Sequence, residues 1–183
     1  LHEISYRACF KPQLPGFFID RLTREGDSVY DPFMGRGTTP VQAALQGRRP
    51  MGNDVNPLSV LLTRPRLSPP TLTEIEQSLA EIEWRSDEID REDLLAFYHP
   101  DTLRQICALR RHLFKHAPLK QPAAPALDWI RMVALNRLTG HSPGFFSVYS
   151  LPPNQAVSVE AQLKINARRG QTPPPRNIAQ LIM

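Results

Sequence analysis

The chain has 183 residues and a mass of 20.7 kDa, with 41% hydrophobic and 22% charged residues. This length suits one domain, or one domain with a subdomain, and the composition is that of a globular protein. No apolar run approaches the about 18 residues that span a bilayer, and residues 1–10 lack a signal-peptide pattern. Two cysteines, Cys9 and Cys107, cannot by themselves form a disulfide framework or a zinc site. We therefore expect a cytoplasmic protein without a membrane partner or a metal site.

The net charge of +4 is unevenly distributed along the chain. Residues 1–67 hold nine basic and six acidic side chains, residues 68–101 hold two and ten, and residues 102–183 hold eleven and two. A basic third suits a polyanion such as nucleic acid, because Arg and Lys bind phosphates whatever the base sequence. The alternative is a solvated surface whose charge the acidic segment partly neutralises, and charge alone leaves both open.

The first part of the chain predicts a short βαβ unit after an amphipathic helix. An apolar, β-rich run is followed by a glycine turn, a helix with Pro40 in its first turn, and a second short run stopped by Asn56-Pro57. A strand, turn, helix and strand within 30 residues should make two parallel strands. The predicted bounds are 15–24 for the first helix, 28–33 and 49–57 for the strands, and 39–47 for the crossover helix.

The remainder of the chain predicts helices joined by rigid, proline-rich connectors. Nine of the nineteen prolines lie from Pro118 onward. Thr71 and Glu74 fit a capping box, which marks a helix start after Pro69-Pro70. Further helices are predicted to open at Pro100 and to cover 126–138, 157–169 and 176–183. Cys107 lies in an apolar stripe and is interpreted as a core residue. The aromatic run at 145–149 is interpreted as buried, with a base-stacking surface as the alternative.

The most informative stretch is residues 31–39, DPFMGRGTT. Glycines at Gly35 and Gly37 allow a tight turn and a close approach to a ligand, and the following helix directs free N–H groups toward it. A P-loop is excluded because no Lys follows, and Pro40 occupies the third glycine position of a dinucleotide-binding motif. The remaining design binds S-adenosylmethionine, whose cationic α-amino group and sulfonium suit a carboxylate such as Asp31.

A second carboxylate completes this pattern. Asp54 lies 19 residues beyond Gly35, at the end of the second predicted strand. A carboxylate at that position can accept both hydroxyls of an adenosine ribose. The alternatives are a turn cap for Asp31 and an Asx turn for Asp54. The spacing of both acids around Gly-x-Gly favours the cofactor site.

Residues 2–67 resemble the bacterial DNA amino-methyltransferases, which modify adenine N6 or cytosine N4. Lys11-Pro12 is similar to their motif X, which covers the methionine end of the cofactor, and DPFMGRGTT is similar to their motif I. Asp54 falls where their ribose-binding acid lies. The later segments 97–113 and 141–156 look more weakly like the helical insertion of one subgroup. The resemblance implies S-adenosylmethionine as cofactor and double-stranded DNA with a flipped base as partner.

The sequence also departs from that family. Its catalytic [DNS]-P-P-[YFW] motif is not recognisable, because the runs at Ser68-Pro69-Pro70-Thr71, Leu151-Pro152-Pro153-Asn154 and Pro173-Pro174-Pro175-Arg176 lack its aromatic residue. We therefore expect no catalytic residue in this chain, which we interpret as the N-terminal part of a longer or split enzyme that is completed by a C-terminal part or a second subunit. An RNA methyltransferase and a non-catalytic, nucleic-acid-binding or regulatory remnant are the alternatives.

The predicted fold is α/β. Residues 1–67 are expected to form an S-adenosylmethionine-binding βαβ subdomain with part of a Rossmann-like methyltransferase sheet. Residues 68–183 are expected to form a mostly helical, proline-rich insertion or DNA-facing subdomain. The predicted cofactor-binding residues are Lys11, Pro12, Asp31, Pro32, Phe33, Gly35, Gly37, Thr38, Thr39 and Asp54.

Overall fold

The computed structural model describes residues 10–85, 89, 91–119, 121, 123–151 and 157–183. They divide between two compact units, Leu1–Pro69 and Pro70–Met183. The first unit contains α1 (Gln13–Leu22), β1 (Ser28–Asp31), α2 (Thr38–Leu45), β2 (Arg49–Gly52) and α3 (Pro57–Leu67). The second contains α4 (Leu72–Ala80), a 3₁₀ turn (Glu92–Ala96), α5 (Pro100–His116), α6 (Pro125–Arg137), α7 (Val159–Arg169) and α8 (Ile178–Ile182).

The first unit contains the predicted parallel βαβ arrangement. Strands β1 and β2 pair in parallel from Ser28↔Arg49 to Asp31↔Gly52, and α2 packs against both. Each strand has four residues, shorter than predicted, because the chain leaves the ladder at the Asp31-Pro32 turn and after Gly52. A mixed α/β architecture is therefore confirmed for the part of the chain that the structure describes.

Helix α1 lies alongside α2. The amide of Gln46 donates to the carbonyl of Gly16 at 3.3 Å, and Arg48 donates to the Thr23 hydroxyl at 3.0 Å and to its carbonyl at 2.9 Å. These contacts join α1 and the residue that follows it to the segment that follows α2.

Helix α3 is an element that the sequence pattern did not predict. Asn56-Pro57 was interpreted as a strand stop, but it also starts a helix. The Asn56 side chain accepts the N–H of Leu58 at 3.0 Å, and Pro57 occupies the first helical position, where its missing N–H costs nothing. Pro65, which disfavours a helix interior, lies in the last turn of α3.

The second unit is helical, with a hydrophobic core shared by α4, α5, α6, α8 and the 3₁₀ turn. The predicted capping box is present: Thr71 Oγ1 accepts the N–H of Glu74 at 3.3 Å, and the Glu74 carboxylate accepts the N–H of Thr71 at 2.7 Å. Cys107 is buried in this core, as expected, whereas Cys9 lies outside the described residues. Phe146, 1% exposed, also belongs to the core, as predicted for the aromatic run at 145–149, whereas Tyr149 of that run is 37% exposed.

Within the described ranges, no helix is long and apolar enough to cross a membrane. The same ranges contain no group of three or more His, Cys, Asp or Glu side chains that could hold a metal ion.

Candidate cofactor site

The loops that follow β1 and β2 are joined to each other at one edge of the sheet. The N–H of Asn53 donates to the carbonyl of Asp31 at 3.0 Å, and the N–H of Met34 donates to the carbonyl of Asn53 at 3.0 Å. Parallel strands place their carboxyl ends at the same edge, where ligands of open α/β sheets bind. The two predicted acidic positions, Asp31 and Asp54, therefore belong to one edge of the unit.

Residues 34–37 form the turn between β1 and α2, which we call the glycine loop. Gly35 has a φ of +52° and Gly37 a φ of +81°, both in the left-handed region that favours glycine. The Gly37 N–H donates to the carbonyl of Met34 at 2.6 Å and closes the turn. Gly37 then precedes α2 without a side-chain cap, so the first N–H groups of that helix are free to meet an anion or a polar ligand.

The structure agrees with one of the two reasons predicted for Gly37. The Gly-x-Gly pattern predicted a tight turn and a close ligand approach, and the positive φ of Gly37 fits the tight turn. The space beside the Gly37 Cα, however, is filled by the side chain of Thr63 on α3. A glycine is therefore required at this position by packing against α3 and by the positive φ.

Both predicted carboxylates make local hydrogen bonds to the backbone. Asp31 Oδ1 accepts the N–H of Phe33 at 3.0 Å, which is the turn cap considered as an alternative. Asp54 Oδ1 accepts the N–H of Asn56 at 2.8 Å, which is the Asx-type contact considered for it. A carboxylate has about four acceptor positions, so neither contact prevents a further ligand contact.

Asp54 makes a second contact that sequence reasoning did not foresee. Its Oδ2 accepts the N–H of Gly35 at 2.8 Å, across 19 residues of chain. The N–H groups of Asn56 and Gly35 stabilise the charged form and lower the pKa of Asp54. Asp54 is thus an ionised, half-buried carboxylate that connects the two loops.

The other predicted site residues differ in their surroundings. Phe33 is 85% exposed at the tip of the turn, beside exposed Pro32. Thr38 is buried in the first turn of α2, and Thr39 is half-buried. Lys11 is exposed and Pro12 is buried at the start of α1. The structure therefore places Asp31, Phe33, Gly35 and Asp54 at one edge of the sheet, whereas Lys11 lies just before the start of α1.

Two arginines, one in the glycine loop and one on α3, make hydrogen bonds that stabilise the loop. Arg36, 8% exposed, donates through Nε to the Thr38 hydroxyl at 3.3 Å. Arg66, on α3, donates to the backbone carbonyl of Arg36. Burial and repulsion from Arg36 lower the pKa of Arg66 to about 10. The sequence offered no signal for Arg66, because α3 itself was not predicted.

The proline runs considered for the catalytic motif have separate outcomes. Thr71, which ends the first run, is the N-cap of α4, so Ser68-Pro69-Pro70 leads into a helix. Residues 173–175 lie in a segment without regular secondary structure before α8. In the remaining run, residues 152–154 lie outside the described residues.

Exposed basic side chains occupy one part of the second unit. Lys164, Arg168 and Arg169 are exposed on α7, and the Arg169 guanidinium lies 3.8 Å from the centre of the Tyr149 ring. Tyr149 remains 37% exposed, so its ring is shared between the guanidinium and solvent. Such a cation–π contact fixes the orientation of an otherwise flexible arginine.

Comparison with known proteins finds a family match in the N-terminal part of the chain. Residues 2–63 match the family described as DNA methylase. The predicted resemblance of this part of the chain to the DNA amino-methyltransferases is therefore confirmed. The match contains the glycine loop, Asp31 and Asp54.

Curated relatives show partial matches of the same kind. The chain is 34% identical to the Type II methyltransferase M.MjaII of Methanocaldococcus jannaschii over 77 residues. These residues make up 42% of this chain and 14% of the relative. It is 32% identical over 82 residues to the Type II methyltransferase M.MvaI of Kocuria varians, with 43% and 18% covered. The Type II methyltransferase M2.DpnII of Streptococcus pneumoniae is 41% identical over 59 residues, with 30% and 22% covered. The chain thus spans less than a quarter of the length of these relatives, and no solved structure matches it significantly.

Proposed function

We propose that the first unit binds S-adenosylmethionine, as part of an enzyme that methylates the exocyclic amine of adenine (N6) or cytosine (N4) in DNA. The observation that carries this proposal is the meeting of the glycine loop and two carboxylates at the carboxyl edge of β1 and β2, within the matched residues. The cofactor would supply the methyl group. The proposed roles of the residues of this chain are to bind and orient the cofactor.

Each carboxylate has capacity for the contact proposed for it. Asp54 accepts from Gly35 on Oδ2 and from Asn56 on Oδ1, and we assign the remaining acceptor capacity of its carboxylate to the ribose hydroxyls. Asp31 uses Oδ1 for Phe33, which leaves Oδ2 for the cationic amino group of the methionine part. Phe33 and the first turn of α2 would contact the remainder of the ligand, and Lys11-Pro12 would cover its methionine end.

We assign DNA binding to the second unit. Its support is the charge of residues 102–183, which hold eleven basic and two acidic side chains, and the exposed basic residues of α7. Arginine and lysine at such a surface position a nucleic-acid duplex through its phosphates. Catalysis on the base would be completed by residues outside this chain, and the cytoplasmic location remains an expectation.

Isothermal titration of the 183-residue chain with S-adenosylmethionine tests the cofactor assignment. We expect saturable binding of one equivalent that is weakened at least tenfold by Asp54→Ala, because contacts with both ribose hydroxyls are lost. Asp27→Ala is the matched control, since Asp27 lies in the turn before β1, at the opposite end of that strand. Unchanged affinity in folded Asp54→Ala, or equal losses in both variants, would contradict the proposal.

A further inference from the structure

The contact between Asp54 and Gly35 points to a role for Asp54 that is independent of any ligand. Gly35 has a φ of +52°, and glycine loses more conformational freedom on folding than any other residue. A loop of this kind holds one shape only when other groups fix it. The Asp54 carboxylate does so from the other loop, 19 residues along the chain, at 2.8 Å from the Gly35 nitrogen.

The carboxylate is itself anchored to a regular element. Its second oxygen accepts the N–H of Asn56 at 2.8 Å, and the Asn56 side chain accepts the N–H of Leu58 in the first turn of α3 at 3.0 Å. The series from Gly35 through Asp54 and Asn56 to Leu58 therefore connects the glycine loop to the start of that helix. Both bonds to Asp54 are charge-assisted, which makes them shorter and stronger than neutral ones.

Further contacts from α3 fix the rest of the loop. Thr63 fills the space beside Gly37, and Arg66 donates to the carbonyl of Arg36. Consecutive loop residues 35, 36 and 37 are thus each contacted from α3 or from the segment that precedes it. Of these contacts, only the one to Gly35 comes from a residue that is also proposed to meet the ligand.

We propose that Asp54 is a positioning residue of the glycine loop, fixing its shape through the Gly35 N–H before the cofactor binds. The consequence for affinity rests on the proposed function, whereas the effect on the loop does not. A loop already in its bound shape avoids the ordering cost that otherwise weakens binding. Asp54 would then contribute to the affinity even for a ligand that lacks ribose hydroxyls.

Amide hydrogen exchange in the ligand-free, ¹⁵N-labelled chain tests the effect on the loop. We expect Asp54→Ala to lower the protection of the Gly35 amide at least tenfold, because alanine offers no acceptor for that N–H. Asp31→Ala is the matched control, since Asp31 ends β1 just before the same loop but accepts from Phe33. Unchanged Gly35 protection, or an equal loss in both variants, would overturn the proposal.

Titration with a cofactor analogue whose ribose lacks both hydroxyls tests the effect on affinity. The proposal requires Asp54→Ala to weaken the analogue about three- to tenfold and to weaken S-adenosylmethionine further. An Asp54 that acted only through the ribose would leave the affinity for the analogue unchanged, and that result would overturn the positioning role. If the wild-type chain bound neither ligand, the proposed function would fail, while Gly35 protection would still decide the effect of Asp54 on the loop.

Discussion

The Thr63 hydroxyl lies where a side chain on Gly37 would have to be. A Cβ atom on Gly37 would collide with Thr63 Oγ1 and would lie 2.6 Å from Thr63 Cγ2, far inside van der Waals contact. Because Thr63 is buried in α3, it has little room to move away. The glycine loop is therefore packed directly against the helix behind it.

Gly37→Ala should destabilise the first unit for two reasons. A positive φ costs an alanine about 1–2 kcal/mol, and the collision with Thr63 adds an overpacking cost of about 1–3 kcal/mol. Gly26→Ala is a matched control, since Gly26 has a φ of +86° and nothing within 4 Å of the added atom. Urea unfolding should show the larger loss for Gly37→Ala. Adding Thr63→Ala should recover part of the difference, and equal losses at both glycines would contradict this account.

A buried ion pair in α6 supports the end of α5. Arg131 and Asp128 lie 3.1 Å apart, with 9% and 6% of their side chains exposed. The Arg131 guanidinium also donates to the carbonyls of Leu113 and Ala117, at the C-terminal end of α5. Arg131→Met should cost about 3–5 kcal/mol of unfolding free energy, because it leaves the Asp128 carboxylate without this cation.

A double substitution distinguishes the cost of an unpaired buried charge from the cost of lost side-chain packing. Arg131→Met combined with Asp128→Leu removes both charges and should be less destabilising than Arg131→Met alone. Chemical denaturation of the single and double variants measures the difference. A double variant as unstable as the sum of both single variants would show that the two side chains act independently.

The capping box of α4 predicts a dependence of stability on acid. The backbone and hydroxyl of Thr71 stabilise the Glu74 carboxylate and lower the pKa of Glu74 below its usual 4.5. This contribution is present above the usual pKa and is lost as the pH falls through the lowered value. Glu74→Gln should therefore flatten the acid limb of a plot of melting temperature against pH. Glu76 is also exposed on α4, and Glu76→Gln should leave that limb unchanged. Equal effects of the two substitutions would contradict the role of Glu74 in the capping box.

The βαβ unit and the acidic positions could be predicted because each depends on local sequence. The Gly-x-Gly turn, Pro40 at a helix start and the spacing from Gly35 to Asp54 are all visible within 24 residues. The contact between Asp54 and Gly35 could not be predicted, because hydrogen bonding to a backbone N–H leaves no mark on residue identity. It depends on how the two loops approach each other at the edge of the sheet.

Helix α3 and its contacts were missed for a related reason. Asn56-Pro57 is typical both of the end of a strand and of the start of a helix, and here it does both. The dipeptide alone does not show whether a helix follows. Thr63 and Arg66 therefore had no predicted position from which to contact the glycine loop. In the second unit, strong helical periodicity and the capping box made α4 and α5 predictable, because a 3.6-residue pattern over several turns is a distinctive signal.

The assignment of DNA to the basic surface of α7 predicts a steep dependence on salt. Each phosphate that a cation neutralises adds about 0.9 to the slope of log affinity against log salt concentration. Arg168→Glu with Arg169→Glu should therefore weaken duplex binding and lower the slope by about two. Arg21→Glu with Arg24→Glu, which changes two exposed arginines of the first unit, is the control for net charge. Fluorescence anisotropy between about 50 and 200 mM salt measures both quantities.

The contact between Arg169 and Tyr149 allows a finer test of the same surface. The guanidinium lies 3.8 Å from the ring centre, and under the proposed function this contact would orient it before DNA binds. Tyr149→Leu keeps every charge but removes the ring, and it should weaken duplex binding about two- to fivefold while leaving the salt slope unchanged. Tyr149→Phe keeps the ring and should bind as the wild type does. Affinity lost equally in Tyr149→Phe would show that the ring does not act through Arg169. Binding that did not depend on salt in any variant would remove the basic surface from the DNA interface.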